Sequence, residues 1–393
     1  MNIEHVGRRC CSCKNCETIC PVDAIKFKKD EYGFDYPEIN HEKCIDCGRC
    51  FSICPVFNPV GTKEEVYDSG VAYSLDNDTK YNGSSGGLFG TFAKEIIYQD
   101  GIVFGAAFDS NLKLKTTYAE TIEELISLYK SKYLLCDTNN EFVHIKKELA
   151  NGRKVLYCAT PCQIHALKLY LNKDYPNLYL IDFVCHGVGS QDTLDRSIAY
   201  SEKKLNARIK KIIFRYKGGR LASHHYYYFY CENENKKFKK KDLYLSFPYY
   251  NAYCKQLACR DNCYKCVYAT RNRVSDITIG DFHGINKYDQ KIDSYAGTSM
   301  FLCNTKKGKE LFDLVKKDLY AKSMDVEILY ENNRFSNNGY IPEGRKQFIE
   351  SLSQDSFDVT VQKFLKPSKD WKRMIYYNSP TFLRRIAKKF MGE

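Results

Sequence analysis

Residues 10–21 read CCSCKNCETICP and residues 44–55 read CIDCGRCFSICP, and this pair decides the fold of the N-terminal part. In the first stretch Cys10, Cys13, Cys16 and Cys20 are spaced C-x2-C-x2-C-x3-C and Pro21 follows. In the second, Cys44, Cys47, Cys50 and Cys54 repeat the spacing and Pro55 follows. Three cysteines two residues apart wrap a tight loop around one face of a four-iron cubane and turn backbone N–H groups toward its sulfurs. The fourth, beside a proline that turns the chain, reaches the other cluster. Cys10, Cys13, Cys16 and Cys54 are therefore expected to hold one [4Fe–4S] cluster, and Cys44, Cys47, Cys50 and Cys20 a second. C-x2-C pairs also build zinc ribbons, but two copies of the whole run weigh against zinc. Cys11 falls outside the pattern and reads as a bystander.

Between the runs, AIKFKKDEYGFDYPEIN (24–40) reads as the short hairpin separating the halves of a bacterial ferredoxin. That module is expected over 1–62, which leaves most of the 393 residues for at least one further domain. The chain has 19 cysteines, and four of them fall between Cys254 and Cys266. The start, MNIEHVGRRCC, lacks the apolar stretch of a secretory signal, and no run of about 18 apolar residues occurs. The expectation is a cytoplasmic protein with reduced thiols, in which clustered cysteines are metal ligands rather than disulfides. The formal net charge of +12 is partly offset by anionic clusters. A basic surface suits an acidic redox partner, an anionic membrane or nucleic acid. Nucleic-acid binding rests only on that charge and on the Tyr/Lys-rich region 216–250, so none is expected. KKFKKKD (236–242) reads as a solvated face.

Outward from the module, VAYSL (71–75), GIVFGAAF (101–108), VLYCA (155–159) and LYLIDFVC (178–185) read as strands. GLFGTFAKEIIYQ (87–99) reads as an amphipathic helix, CQIHALKLYL (162–171) is helix-like, and the Tyr-rich region 226–250 resembles antiparallel strands. The predicted class is α+β: a bacterial-ferredoxin-like module, then a mixed α/β flavin-binding body over 63–330, then a basic C-terminal segment over 331–393.

Three elements of the body carry candidate chemistry. NGSSGG (82–87) is a Gly/Ser loop opening a helix, where backbone N–H groups and the helix dipole accept an anion. In ATPCQIHALK (159–168), Thr160 is a plausible N-cap and Pro161 suits the first turn, which leaves Cys162 at a helix N-terminus that favours a thiolate. A buried cysteine at a strand–helix junction is the plainer alternative there, and His165 reads as a surface or packing residue. CRDNCYKC (259–266) supplies three close cysteines, which with one from elsewhere complete a third iron–sulfur site.

In this order behind a two-cluster module, these elements resemble the beta-subunit family of coenzyme F420 hydrogenases and dehydrogenases. The resemblance spans roughly 8–300. It is carried by SSGGLFGTFAKEIIYQDGIVFGAAFD (84–109), SKYL (131–134), KVLYCATPCQIHALKLYL (154–171), DFVCHGVGS (182–190), IIFRYKG (212–218) and CYKC…RVSDITIGDFHGI (263–285). It implies a flavoprotein with an iron–sulfur cluster beside FAD. It further implies Ser84, Ser85, Gly86 and Gly87 as FAD contacts, with Lys132 of SKY and Thr160 beside them. Cys162, Cys185, Cys263 and Cys266 become the ligands of a third [4Fe–4S] cluster, with Cys259 in reserve, and Asp281 of GDF lines the same site. Where relatives commonly carry Trp after GDF this chain has His283, and Cys158 replaces a usual small residue.

The function expected is an iron–sulfur flavoprotein oxidoreductase. Electrons would pass from a low-potential donor, of ferredoxin or reduced-deazaflavin type, through the clusters to FAD and an organic substrate. The resemblance places bacterial relatives in surface-polysaccharide gene sets. His186, beside Cys185, is a candidate proton donor alongside a purely structural role. The alternative is an electron-transfer subunit of a larger hydrogenase- or dehydrogenase-like complex without a substrate of its own. WKRMIYYNSPTFLRRIAKKFMGE (371–393) has Leu383, Ile386, Ala387 and Phe390 at helical spacing, so it reads as a docked terminal helix or a peripheral membrane contact.

Overall fold

A computed structural model describes residues 2–61, 65–138, 140–217, 226–289, 296–333, 335, 340–366 and 379. The sequence repeat at the N-terminus is also a backbone repeat. Ser12 and Lys14 take left-handed conformations in the first cysteine loop, and Asp46 and Gly48 take them at the same two places in the second. Each loop then enters a short helix, Asn15–Ile19 or Arg49–Ser52. Between the loops, β1 (Ile25–Lys29) and β2 (Asp35–Ile39) form an antiparallel hairpin with Ile25 opposite Ile39. Asp30 ends β1 because its carboxylate accepts the N–H groups of Tyr32 and Phe34, closing the turn.

The body is built on one mixed sheet of eight strands. They are β3 (Asp68–Ser74), β4 (Ile102–Phe108), β5 (Leu114–Ala119), β6 (Val155–Ala159), β7 (Leu178–Phe183), β11 (Ile277–Phe282), β12 (Thr298–Cys303) and β13 (Leu319–Ser323). Their spatial order is β13-β3-β12-β11-β7-β6-β4-β5. The centre, β4-β6-β7-β11, is parallel. The flanking strands pair antiparallel. Strands buried on both faces need unbroken apolar runs, and VLYCA of β6 and TSMFLC of β12 are such runs. The helix Leu88–Tyr98 lays Leu88, Phe92, Ala93 and Ile96 on the sheet, one face at helical spacing, each 0–1% exposed. Burying each large apolar side chain there contributes roughly 1.5–3 kcal/mol.

The three strands between β7 and β11 make a second, antiparallel sheet: β8 (Arg208–Phe214), β9 (Tyr226–Glu232) and β10 (Lys237–Leu243). Lys237, Lys239 and Lys241 alternate outward along β10, which is an edge strand, so KKFKKKD is a solvated face that also shields the edge from further pairing. The inner face gathers Ile212, Phe214, Tyr227 and Phe229 with Phe247, Tyr249 and Tyr250. Residues assigned by sequence to the C-terminal segment form two helices, Arg345–Gln354 and Phe357–Phe364. Their Phe348, Ile349, Leu352 and Val361 pack with Ala252 and Leu257 of the body. The amphipathic stretch 380–393 lies outside the described residues, and no described helix is long and apolar enough to cross a membrane.

Candidate redox site

The first loop presents its thiols inward. Cys10, Cys13, Cys16 and Cys54 are all buried, and the Ser12 N–H donates to the Cys10 sulfur at 3.3 Å. Burial raises the Cys16 thiol, and its neighbours Cys10 and Cys54 push it further, so the crossed partner Cys54 stands beside the first loop. Cys20, Cys44, Cys47 and Cys50 line a separate small cavity, and the Ala24 N–H donates to the Cys20 sulfur at 3.2 Å. Both foursomes therefore fit the crossed ligation expected from the spacing. Buried thiols that raise one another ionise only against a strong cation, which is the condition a cluster satisfies. No group of His, Cys, Asp or Glu among the described residues is drawn tightly enough for a single metal ion.

In the body, the carboxyl ends of the parallel strands open on a cavity of about 620 Å³, the usual place for a ligand in such a sheet. β6 delivers Cys158 and Thr160, β7 runs into Cys185 and His186, and β11 brings Asp281 and His283 to the same wall. Ser84, Ser85 and Gly87 form another wall with Lys132 beside them, so these expected contacts share one space. Gly86 lies just behind, donating its N–H to the Ser299 hydroxyl at 2.8 Å, while the Ser85 hydroxyl donates to the Thr298 carbonyl at 2.6 Å. Gly87 takes φ +85, a left-handed turn, and directly starts the helix Leu88–Tyr98, whose N-terminus faces the cavity.

Thr160 is the N-cap and Pro161 opens the helix Pro161–Leu171 as expected, but the Thr160 hydroxyl pairs with the Cys162 sulfur at 3.2 Å instead of capping the backbone. The thiolate expected at Cys162 is not what this protein chain favours by itself. The Cys11 thiol and then burial push Cys162 well above the ordinary range, outweighing the partial charge of the helix end. Cys11 is thus no bystander. It is 6% exposed and packs in one cluster with Cys13 and Cys162, so it sits between the N-terminal module and the body. Cys185 is pushed up to about 12 by burial, then by Cys162 and Cys266. Cys263 is raised by burial, then by Cys259, Cys185 and Cys162. The four expected thiols therefore converge, and the reserve Cys259 converges with them. Gly187 of CHG has φ +108, and a Cβ there would stand 2.9 Å from the Cys259 sulfur, so only glycine fits. His165 is buried and shares a 2.8 Å hydrogen bond with the Tyr268 hydroxyl, a packing role.

Sequence reading named Lys132 but missed Arg215, Lys217 and Lys130. Arg215, at the end of β8, forms a bidentate pair with Asp281 at 2.6 and 2.8 Å. Asp281 therefore faces the cavity as a paired carboxylate. Lys217 donates to the carbonyls of Lys80 and Ser85, and Lys130 to those of Tyr81 and Gly83, which clamps the loop from behind. Burial lowers Lys130 and Lys132 to about 7; burial, with Lys130 and Arg215 nearby, lowers Lys217 to about 6. Arg215 and Lys217 stand inside IIFRYKG and Lys130 immediately before SKYL. Their signal was therefore present as basic residues within the quoted motifs.

Residues 152–327 match the family described as the C-terminus of the coenzyme F420 hydrogenase/dehydrogenase beta subunit, and residues 9–58 match a 4Fe-4S dicluster domain. No curated protein matches the chain. A similar solved chain is found in the F420-reducing [NiFe] hydrogenase complex from Methanosarcina barkeri, studied by xenon derivatization. It is 17% identical with a TM-score of 0.47, over 73% of this chain and 93% of that chain. The chain thus matches the coenzyme F420 hydrogenase/dehydrogenase beta-subunit family over residues 152–327, behind a match to a 4Fe-4S dicluster domain.

Proposed function

We propose that this iron–sulfur protein is an FAD-dependent oxidoreductase. It passes electrons from a low-potential donor through the N-terminal clusters and a third cluster to FAD and an organic acceptor, in the polysaccharide setting that the resemblance implies. The observation that carries the reading is a single cavity bounded by the Ser84–Gly87 loop on one side and by Cys185, next to the converging thiols, on the other. Flavin joins one-electron clusters to two-electron organic chemistry because it holds one or two electrons. Around it, the chain's own residues bind and orient. The helix start at Gly87 and the amines of Lys130 and Lys132 on the cavity wall suit the phosphates of a dinucleotide. Arg215 holds Asp281 charged and fixed. His186, exposed on the cavity wall, is placed to exchange a proton with an acceptor and solvent.

The second reading, an electron-transfer subunit of a larger complex without its own substrate, is favoured by the beta-subunit family match. An anaerobic assay of iron, acid-labile sulfide and flavin on the purified chain tests the first reading. About twelve irons, from three four-iron clusters, with one FAD per chain are expected. About eight irons without flavin would overturn it and leave the second.

A further inference from the structure

Arg260 belongs to the body, next to Cys259, yet its side chain is spent on the N-terminal module. It is 0% exposed and heads the fully buried side chains by size. Its Nε donates to the Cys10 carbonyl at 2.7 Å and its Nη2 to the Asp35 carbonyl at 2.8 Å. The guanidinium lies 4.0 Å from the Tyr36 ring centroid and 5.4 Å from that of Phe34. Nη1 is buried with no hydrogen-bond partner. Asp261, the adjacent carboxylate, pairs with Arg345 at 2.6 Å, and Arg260 makes no ion pair among the described residues.

A buried cation lacking a counter-charge, with an orphaned donor besides, is costly and rarely kept without reason. The polar groups placed around it are carbonyls and aromatic faces, which hold it but do not neutralise it. What it faces is the first cysteine loop. A four-iron cluster with four thiolates is an anion with sulfur acceptors. It supplies both things the guanidinium lacks, a negative charge and a partner for Nη1.

We propose that Arg260 is the built-in counter-charge of the cluster held by Cys10, Cys13, Cys16 and Cys54, and that it raises the reduction potential of that cluster. The proposal rests on the reading that these cysteines hold a four-iron cluster. An electron entering the cluster adds one negative charge and breaks no bond, and a fixed cation in a water-poor site stabilises the reduced form more than the oxidised one. Because the charge is lent by the body, docking of the N-terminal module sets the potential of the cluster that faces the body. The second cluster, among Cys20, Cys44, Cys47 and Cys50, has no such partner from Arg260 and serves as an internal reference.

The test is a redox titration of the full chain followed by electron paramagnetic resonance, on wild type, Arg260→Lys and Arg260→Gln. Arg260→Gln should move one low-potential signal to more negative potential and leave the other in place, while Arg260→Lys, which keeps the charge, should recover most of the shift. Equal shifts in both variants, or none in either, would overturn the proposal in favour of a structural role. Should the glutamine variant not fold, wild type grown with 15N-arginine decides. Pulsed spectra of the reduced cluster should show an arginine-nitrogen coupling that Arg260→Lys removes, and its absence overturns the proposal. Failure to find any four-iron signal in wild type would instead overturn the cluster reading itself, and the proposal with it.

Discussion

Lys130 and Lys217 hold their ammonium groups against the carbonyls of the loop that carries Ser84–Gly87, in a site too dry to charge them fully. An anion entering the cavity reverses that balance, since an opposite charge nearby favours the ammonium. The free protein, with these lysines at about 7 and about 6, binds fewer protons than the anion-bound form at any pH between there and the ordinary lysine value of about 10.4. Binding of the proposed flavin dinucleotide would then take up protons and weaken as pH rises through that window. Calorimetric titrations of cofactor-free protein at pH 8, in buffers of different ionisation heat, should show proton uptake, and none would mean the ammoniums are charged without the anion. Lys130→Met should lower the affinity roughly tenfold or more, from the loss of a charge-assisted contact worth about 1.5 kcal/mol at least. Cys11 yields a separate prediction. As a thiol between two expected ligands rather than a ligand itself, it should be replaceable by alanine with the iron count unchanged, whereas a loss of about four irons per chain would make it a ligand. The eight spaced cysteines were readable because their separations along the chain set the loop around a cube. Cys11 and Arg260 were not readable, because each acts across the seam between module and body: Cys11 packs in one cluster with Cys162, and Arg260 reaches Cys10.

At the scale of elements, the apolar periods carried the reading. The helix Leu88–Tyr98 and the strands β4, β6 and β7 stand where their runs put them, since a buried parallel centre leaves little freedom in composition. The Tyr-rich region 226–250, read as antiparallel strands, supplies β9 and β10 as far as Leu243 and then turns helical from Tyr244, where its aromatic rings face the core instead of a ladder. The order β13-β3-β12-β11 was out of reach, because pairing of β3 with β12 joins residues more than 200 positions apart and nothing local marks the partner. The bidentate contact of Arg215 with Asp281 has the same character. It links the end of the small sheet to the end of β11, and each residue by itself looks like an ordinary surface charge. The helix Leu88–Tyr98 is the member on which the loop depends, and its Phe92 is fully buried, with the ring of Phe312, on the helix Lys306–Val315, 6.4 Å away between centroids. Phe92→Ala should cost about 3–5 kcal/mol and lower the melting temperature accordingly. Paired thermal melts check this, and a loss below about 1 kcal/mol would show that Leu88 and Ile96 hold the helix without it.

Over the whole molecule the two parts meet through a seam that runs from the first cysteine loop to the β1–β2 hairpin and mixes apolar packing with polar contacts. Lys14 pairs with Asp137 at 2.8 Å, the Thr138 hydroxyl donates to the Cys13 carbonyl at 3.3 Å, and Asn15 donates to the Ala166 carbonyl at 2.8 Å. Asn15 is the contact that fixes the distance. It is 1% exposed, lies next to Cys16, and reaches the helix Pro161–Leu171 that begins with Cys162 at its second position. The seam therefore sets the first cluster against the thiols of the body, while Cys47, at the exposed end of the second foursome, faces outward. That arrangement fits entry of electrons at the outer cluster and exit at the inner one. It also separates assembly of the clusters from transfer between them, because the Asn15 side chain donates to the Ile53 and Ala166 carbonyls, while it is the backbone N–H, kept in any substitution, that approaches the Cys13 sulfur. Asn15→Ala removes a hydrogen bond across the seam while the Ala166 carbonyl keeps its partner within the helix, a cost of about 0.5–1.5 kcal/mol borne by the docked state alone. The expected outcome is a full complement of iron and flavin, faster proteolytic release of residues 1–61, and slower flavin reduction when a low-potential donor is mixed with the chain in a stopped-flow experiment. An unchanged flavin reduction rate beside faster proteolytic release would show that electrons reach the cavity without crossing this seam, and would remove the N-terminal clusters from the route.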